Sequence, residues 1–278
     1  MLKLIRNNNQ NAEPLVSVII PTYNSEKTLA RCLEGVKNQS YRNAETIVVD
    51  RYSTDDTPKI GRDMDVTFLQ INSERTRAKN IGLKESMGKY VLFLDSDMIL
   101  SRKVIEECVA LFENNHGVGG AVIPERSVGS SIWVKIIDFE KALYAGTHIE
   151  SARFFNKVVA LKAGGYDEAV VFYEESTLPQ RIEKLGLKNY RIDSNILHLE
   201  EEFRLKSWLM KKLYYGESLR VYAKKYSTYN SDQSSIPRRL RQLLSNRRFY
   251  RKPLWLGVIF LKSLEYSFML IGYFESAI

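Results

Sequence analysis

The run YVLFLDSDMIL at residues 90–100 constrains this chain more than any other segment. Apolar residues lead directly into Asp95-Ser96-Asp97, and apolar character resumes at Met98. A short run that is apolar throughout reads as a strand covered on both faces, as in a parallel sheet flanked by helices. Ligands of an open α/β sheet bind outside the carboxyl ends of its strands, which is where the two aspartates fall. Carboxylates there are costly unless a cation or hydrogen-bond donors meet them. An Asp-x-Asp pair offers hard oxygen ligands suited to Mg²⁺ or Mn²⁺, which in turn can hold a diphosphate. Taken alone, the pair also fits two solvated turn aspartates.

The neighbouring segments alternate between strand and helix. LVSVIIPTYN (15–24) predicts a buried strand running into a Pro-containing loop. SEKTLARCLEGVKNQ predicts a helix capped by Ser25, with Leu29, Cys32, Leu33 and Val36 on one face. AETIVVD (44–50) is a second strand. STDDTPKIGRDM is a loop entering a helix, capped by Ser53 or Thr54 with Pro58 in the first turn. VTFLQI and ERTRAKNIGLKESM follow as strand and helix. The alternation predicts an α/β fold with a parallel, doubly wound sheet. No G-x-G-x-x-G follows the first strand, so the dinucleotide fingerprint of dehydrogenases is missing. Further on, GVGGAVIPE reads as a strand, and VVALKAGGYDE as a strand or helix edge closing in a Gly-Gly turn. EESTLPQRIEKLG reads as a helix ended by Gly186, and YRIDSNILHLE as one last strand carrying His198.

Cys32 and Cys108 are the only cysteines, which excludes a disulfide framework and a cysteine metal cluster and suits core thiols in a reducing compartment. The net charge of +8 is unevenly placed: residues 1–203 sum to −3, residues 204–252 to +12, and the remainder to −1. Three regions follow: a flexible arm at 1–13 with no apolar stretch for a signal peptide, a mildly acidic body at 14–203, and a basic, amphipathic helical region at 204–278.

In their order, these segments resemble the family 2 glycosyltransferases, which have the GT-A fold, over residues 15 to 200. VSVIIPTYN is similar to the family's opening strand and nucleotide-facing loop, which implies that Pro21, Tyr23 and Asn24 border the donor. TIVVDRYSTDDT resembles the second signature, an aspartate pair followed by Gly-Ser-x-Asp-x-Thr. Asp50 keeps the first aspartate, whose family role is to bind the base, while Arg51-Tyr52 departs from the usual Asp-Gly. RAKNIG resembles the Ala-Arg-Asn-x-Gly helix with Lys79 in place of arginine, and Lys79, Arg75 and Arg77 become candidate diphosphate contacts. FLDSDM is similar to the metal-binding Asp-x-Asp. The resemblance implies that Asp97 ligates Mn²⁺ or Mg²⁺, that Asp95 approaches the ribose or a metal-bound water, and that Ser96 lies against the donor. His198 matches a histidine that in some relatives adds a metal ligand; a hydrogen-bonded surface histidine is the alternative. GGYDEAVVFYEESTLPQRIEKLG resembles the acceptor-side segment, with Glu174-Glu175 at its Glu-Asp positions.

The chemistry agrees with this assignment. A nucleotide-sugar already carries a good leaving group, so the enzyme must neutralise the departing diphosphate, take a proton from the acceptor hydroxyl and hold both in line. Glu175 is the candidate base, with Glu174 as the alternative, and Asp97 completes the catalytic set. The helix dipole would keep a carboxylate there anionic, whereas a dry pocket would raise its pKa. The resemblance thus implies an inverting, metal-dependent hexosyltransferase taking a UDP- or GDP-sugar. It is read as non-processive because no Gln-x-x-Arg-Trp occurs. Rival readings are a silent GT-A scaffold serving as a membrane or nucleic-acid-binding module, or a sugar nucleotidyltransferase. The latter usually opens with a Gly-rich loop, and PTYNSEKT has none.

The region after residue 203 carries no nucleic-acid motif, and its basic segments lead into the apolar run 254–273. Basic residues beside an apolar helix fit an anionic membrane face better than nucleic acid. Lys262 and Glu265 lie mid-run, each costing about 2.5–3.5 kcal/mol at a bilayer centre. The expectation is therefore a peripheral or monotopic protein on the cytoplasmic face of the cell membrane, with a lipid-linked or surface-glycan acceptor. For the helix itself, the alternatives are packing against the body or against a second copy in a homo-oligomer.

Overall fold

The Val- and Ile-rich run at residue 15 forms β1 (Val16–Thr22), in which every residue is buried, as a strand covered on both faces must be. In the computed structural model, residues 13–147, 149–200, 203–226, 235–247, 249–251 and 253–275 are described. The expected N-terminal arm lies outside the described residues except for Glu13, as do residues 227–234 between the basic segments. Helix α1 (Leu29–Lys37), β2 (Ala44–Asp50), α2 (Thr57–Asp63), β3 (Thr67–Gln70), α3 (Arg75–Glu85) and β4 (Tyr90–Phe93) complete the first hundred residues. These four strands pair in parallel in the order β3-β2-β1-β4. The strand order reverses beside β1, so a crevice opens at the carboxyl ends of β1 and β4.

The parallel run stops there. After β5 (Met98–Leu100), α4 (Val104–Asn114), β6 (Val118–Val122), β7 (Glu125–Val128) and α5 (Ile132–Leu143), strand β8 (Ala152–Asn156) inserts antiparallel between β4 and β6. Then come α6 (Lys157–Lys162), α7 (Glu174–Glu183), β9 (Lys188–Arg191) and β10 (Ile196–Leu199). The seven-stranded sheet is therefore mixed, in the order β3-β2-β1-β4-β8-β6-β9, with a small second sheet β5-β10-β7. The segment expected as one strand at 190–200 is two strands in different sheets. Glu107 breaks it by accepting from the Asp193 and Ser194 amides at 3.1 and 2.8 Å, which turns the chain between them.

Two expected caps are also revised. The Ser25 carbonyl accepts from the Thr28 and Leu29 amides, so α1 starts a turn later with Thr28 at its N-cap, and the Ser25 hydroxyl bonds that of Ser96 instead. Ser53 turns back to Asp50, leaving Asp56 to precede α2, while Pro58 does occupy the first turn.

The C-terminal region packs on the body through α8 (Leu205–Lys225), α9 (Ile236–Ser245) and α10 (Leu254–Glu275). Helices α8 and α10 run side by side and parallel, with Lys212 against Glu265 and Arg220 against Tyr273. Their backbones touch at two glycines: a Cβ on Gly216 would lie 2.2 Å from the Met269 carbonyl, and one on Gly272 would lie 2.1 Å from that of Leu213. An apolar cluster of Ile136, Leu143, Leu243, Phe249, Val258 and Leu261 joins α5, α9 and α10. The charges that interrupt the apolar run face this inner side. Lys262 pairs with Glu140 and Glu265 at 2.6 Å each, and Lys212 meets Glu265 at 2.6 Å. Burial disfavours charge on both, yet partners hold Lys262 high and Glu265 low, so both stay ionised.

Candidate active site

Two cavities lie on either side of an ion pair, Asp95 lining one and Arg153 the other. The first, of about 260 Å³, opens where β1 and β4 end and is lined by Pro21, Tyr23, Arg75, Asp95, Asp97 and His198, among others. One buried polar atom in its wall, Ser73 Oγ, lacks a hydrogen-bond partner, as expected of a site shaped for a polar ligand. Asp95 lies between Lys79 at 3.5 Å and Arg153 at 3.3 Å. Burial opposes its ionisation, but these cations hold it well below the usual carboxylate range. Asp97 is half exposed and lies 3.2 Å from His198 Nε2, an approach made possible because β10 pairs directly with β5. Burial lowers the His198 pKa, and the Asp97 carboxylate more than restores it.

The second cavity, of about 220 Å³, is lined by Glu125, Lys141, Tyr144, Arg153, Glu175 and Arg239, among others. Arg153 bridges the two sites, pairing with Asp95 on one side and with Glu125 at 2.6 Å on the other. At the head of α7, Glu174 is buried against Arg75 at 2.5 Å and Lys79 at 3.6 Å, and despite burial its pKa is lowered. Glu175 lines the second cavity. Desolvation, the Glu174 charge and a hydrogen bond to that carboxylate push its pKa up to about 8. Burial thus outweighs the helix-end effect, giving a carboxylate with the basicity a proton acceptor needs near neutral pH.

Other residues singled out in the sequence have varied placements. Asp50 is enclosed by Thr22, Ser53 and Gln70 as hydrogen-bond donors and does not line the first cavity. Asn24 adopts a left-handed backbone (φ 48°) and accepts from the Thr54 amide, tying the two loops together. Tyr23 stands exposed at the rim beneath the Arg51 guanidinium, 5.5 Å from its ring centroid. Ser96 lines the cavity and bonds Ser25; Lys79 lies beneath it, and Arg77 is exposed outside the lining. Sequence reasoning missed Lys211 on α8, Arg153 on β8, Lys141 on α5 and Arg239 on α9, all of which line a cavity. None belongs to a local motif; their only signal is a basic charge on elements that fold back over the site.

A sequence profile of Glycosyl transferase family 2 matches residues 17–165, more than half of the chain. The chain belongs to glycosyltransferase family 2. It is 34% identical over 110 residues to an uncharacterised glycosyltransferase of Haemophilus influenzae, covering 37% of this chain and 44% of that protein. It is 36% identical over 102 residues to glycosyltransferase GlyG of Streptococcus pneumoniae, covering 33% of each. The chain thus spans less than half the length of these relatives. In structure it is similar to the mannosyltransferase PcManGT from Pyrobaculum calidifontis in complex with GDP-Man and Mn²⁺. The TM-score is 0.67 at 17% identity, covering 96% of this chain and 88% of that one. A second solved structure, Staphylococcus aureus TarS 1–349 with UDP-GlcNAc, aligns with a TM-score of 0.55 at 17% identity, covering 93% and 90%. The chain thus has the GT-A fold, a mixed α/β sheet followed by a helical C-terminal region.

Among the described residues, no group of three His, Cys, Asp or Glu side chains forms a ready metal site. The chain instead offers one carboxylate and one imidazole, Asp97 and His198, at the mouth of a cavity sized for a ligand. The Asp97 carboxylate suits Mg²⁺ or Mn²⁺, hard ions held by a few oxygen ligands together with substrate phosphates and water, while the His198 imidazole suits Mg²⁺ less well.

Proposed function

We propose that this family 2 member is a metal-dependent, inverting, non-processive hexosyltransferase. Its donor is a UDP- or GDP-sugar, and its acceptor is a hydroxyl of a lipid-linked or surface glycan at the cytoplasmic membrane face. The observation that carries the reading is the Asp95–Arg153 pair, whose aspartate lines the first cavity and whose arginine lines the one that holds Glu175. In this reading the nucleotide diphosphate enters the first cavity, with Arg75 and Lys211 at its edge to meet negative charge. Tyr23 and Asn24 border the base, and Asp50 receives it by exchanging one of its present donors. Asp97 and His198, with Asp95 behind them, would hold Mn²⁺ or Mg²⁺, whose charge offsets that of the departing diphosphate.

The acceptor hydroxyl lies in the second cavity. Its oxygen forms the new bond to the anomeric carbon as the bond to diphosphate breaks, and its proton passes to a Glu175 oxygen. The reading casts Glu175 as the one base and assigns no nucleophile among the described residues, so displacement is single and configuration inverts. Titrating UDP- and GDP-sugars into the protein with Mn²⁺, with chelator, and with Asp97→Asn tests the reading. A neutral amide is a poor ligand for a hard cation, so both the substitution and the chelator should abolish metal-assisted binding and turnover while the fold persists. Full turnover in excess chelator would contradict the metal's role.

A further inference from the structure

Helix α10 inverts the usual arrangement of a surface helix. The large side chains it exposes are Leu256, Ile259, Phe260, Leu270, Ile271 and Phe274. Two serines complete that face, and both satisfy their hydroxyls within the helix: Ser263 Oγ donates to the Ile259 carbonyl at 2.9 Å and Ser267 Oγ to that of Ser263 at 2.8 Å. The charged residues between Leu254 and Phe274 are Lys262 and Glu265, and both are buried on the inner side. The apolar stripe from Leu256 to Phe274 is about 27 Å long at 1.5 Å per residue. A contiguous apolar surface of this extent marks a contact with something other than water.

The surroundings select the occupant. Helix α8 runs beside the stripe and exposes Lys206, Arg220 and Lys224, while α9 exposes Arg238 and Arg241. With +12 over residues 204–252, a second copy would bring like charges together, whereas an anionic lipid surface complements them. Crossing the bilayer would strip Lys262 and Glu265 from Glu140 and Lys212 and leave both charges in hydrocarbon.

We infer that α10 lies flat on an anionic bilayer, with its Leu256–Phe274 stripe at the acyl boundary and the α8 and α9 cations on the headgroups. This deepens the proposed membrane-facing role, on which it rests for the acceptor but not for the docking itself. Because α9 carries Arg239 into the acceptor cavity, docking fixes that cavity relative to the lipid surface.

The test uses the full chain and vesicles of phosphatidylcholine containing phosphatidylglycerol, or phosphatidylcholine alone. Sedimentation should show binding to the anionic vesicles that falls by at least tenfold at high salt. The combined substitution Leu256→Gln, Ile271→Gln and Phe274→Gln should lower binding by more than tenfold, with thermal melting and donor hydrolysis unchanged. Lys206→Gln and Lys224→Gln should each weaken it about fivefold, the equivalent of about 1 kcal/mol per surface cation. With Pro253→Cys and Glu275→Cys in turn, an impermeant thiol reagent outside sealed vesicles should label both ends of α10, since Cys32 and Cys108 are buried. Labelling of one end only would mean a span and overturn the inference. So would a dimer, blind to vesicles, that the triple substitution converts to monomer. Vesicle binding without donor hydrolysis would instead count against the catalytic reading and leave the docking intact.

Discussion

Glu174 and Glu175 are neighbours in sequence and opposite in character. Their identities and spacing do not distinguish them; the difference comes from Arg75 and Lys79 on α3, a hundred residues earlier, which claim Glu174 and leave Glu175 facing the second cavity. The sequence could mark the pair, but not which member is already spent. Glu174→Gln should cost about 3–5 kcal/mol at pH 7, because it removes one side of a buried ion pair. Since its folded pKa is lowered, the stability it contributes is complete above the ordinary carboxylate range and is lost as pH falls through its folded pKa. Urea unfolding should therefore separate variant and wild type clearly at pH 7 and progressively less in acid. A constant gap would show that Glu174 gains nothing from its cations.

At the scale of elements, legibility followed the length of the apolar run. The strands β1, β2 and β4 are apolar runs buried in the sheet, and they were readable from their composition. β7 was not, because only Ser127 of its four residues is buried, and β8 was not, because its short run follows a polar stretch. β9 and β10 merged in the sequence reading since the carboxylate that parts them is on α4. The close approach of α8 and α10 was equally hidden, being set by one glycine on each helix. Gly272→Val should force the Leu213 carbonyl away and destabilise the protein by about 1–3 kcal/mol, as overpacking does. Thermal melting checks this; a variant as stable as wild type would mean that the two helices are free to separate.

Across the whole molecule, a line of alternating charge runs Arg75, Glu174, Lys79, Asp95, Arg153, Glu125, Lys141 and Glu200, drawing on both sheets and the helices around them. The motif segments supplied its members near the donor, while Arg153 and Lys141 come from segments with no motif, so the link between the two cavities was visible only in the fold. The C-terminal helices belong to the same unit, since Lys211 lines one cavity and Arg239 the other. Donor turnover by Glu175→Gln, followed from pH 6 to 9 beside wild type, tests the central claim most directly. Wild-type kcat/KM should rise as Glu175 loses its proton near pH 8. The variant should lose that rise and about 10²–10⁴-fold in kcat at unchanged donor affinity. Near-normal turnover with the same pH profile would contradict the account.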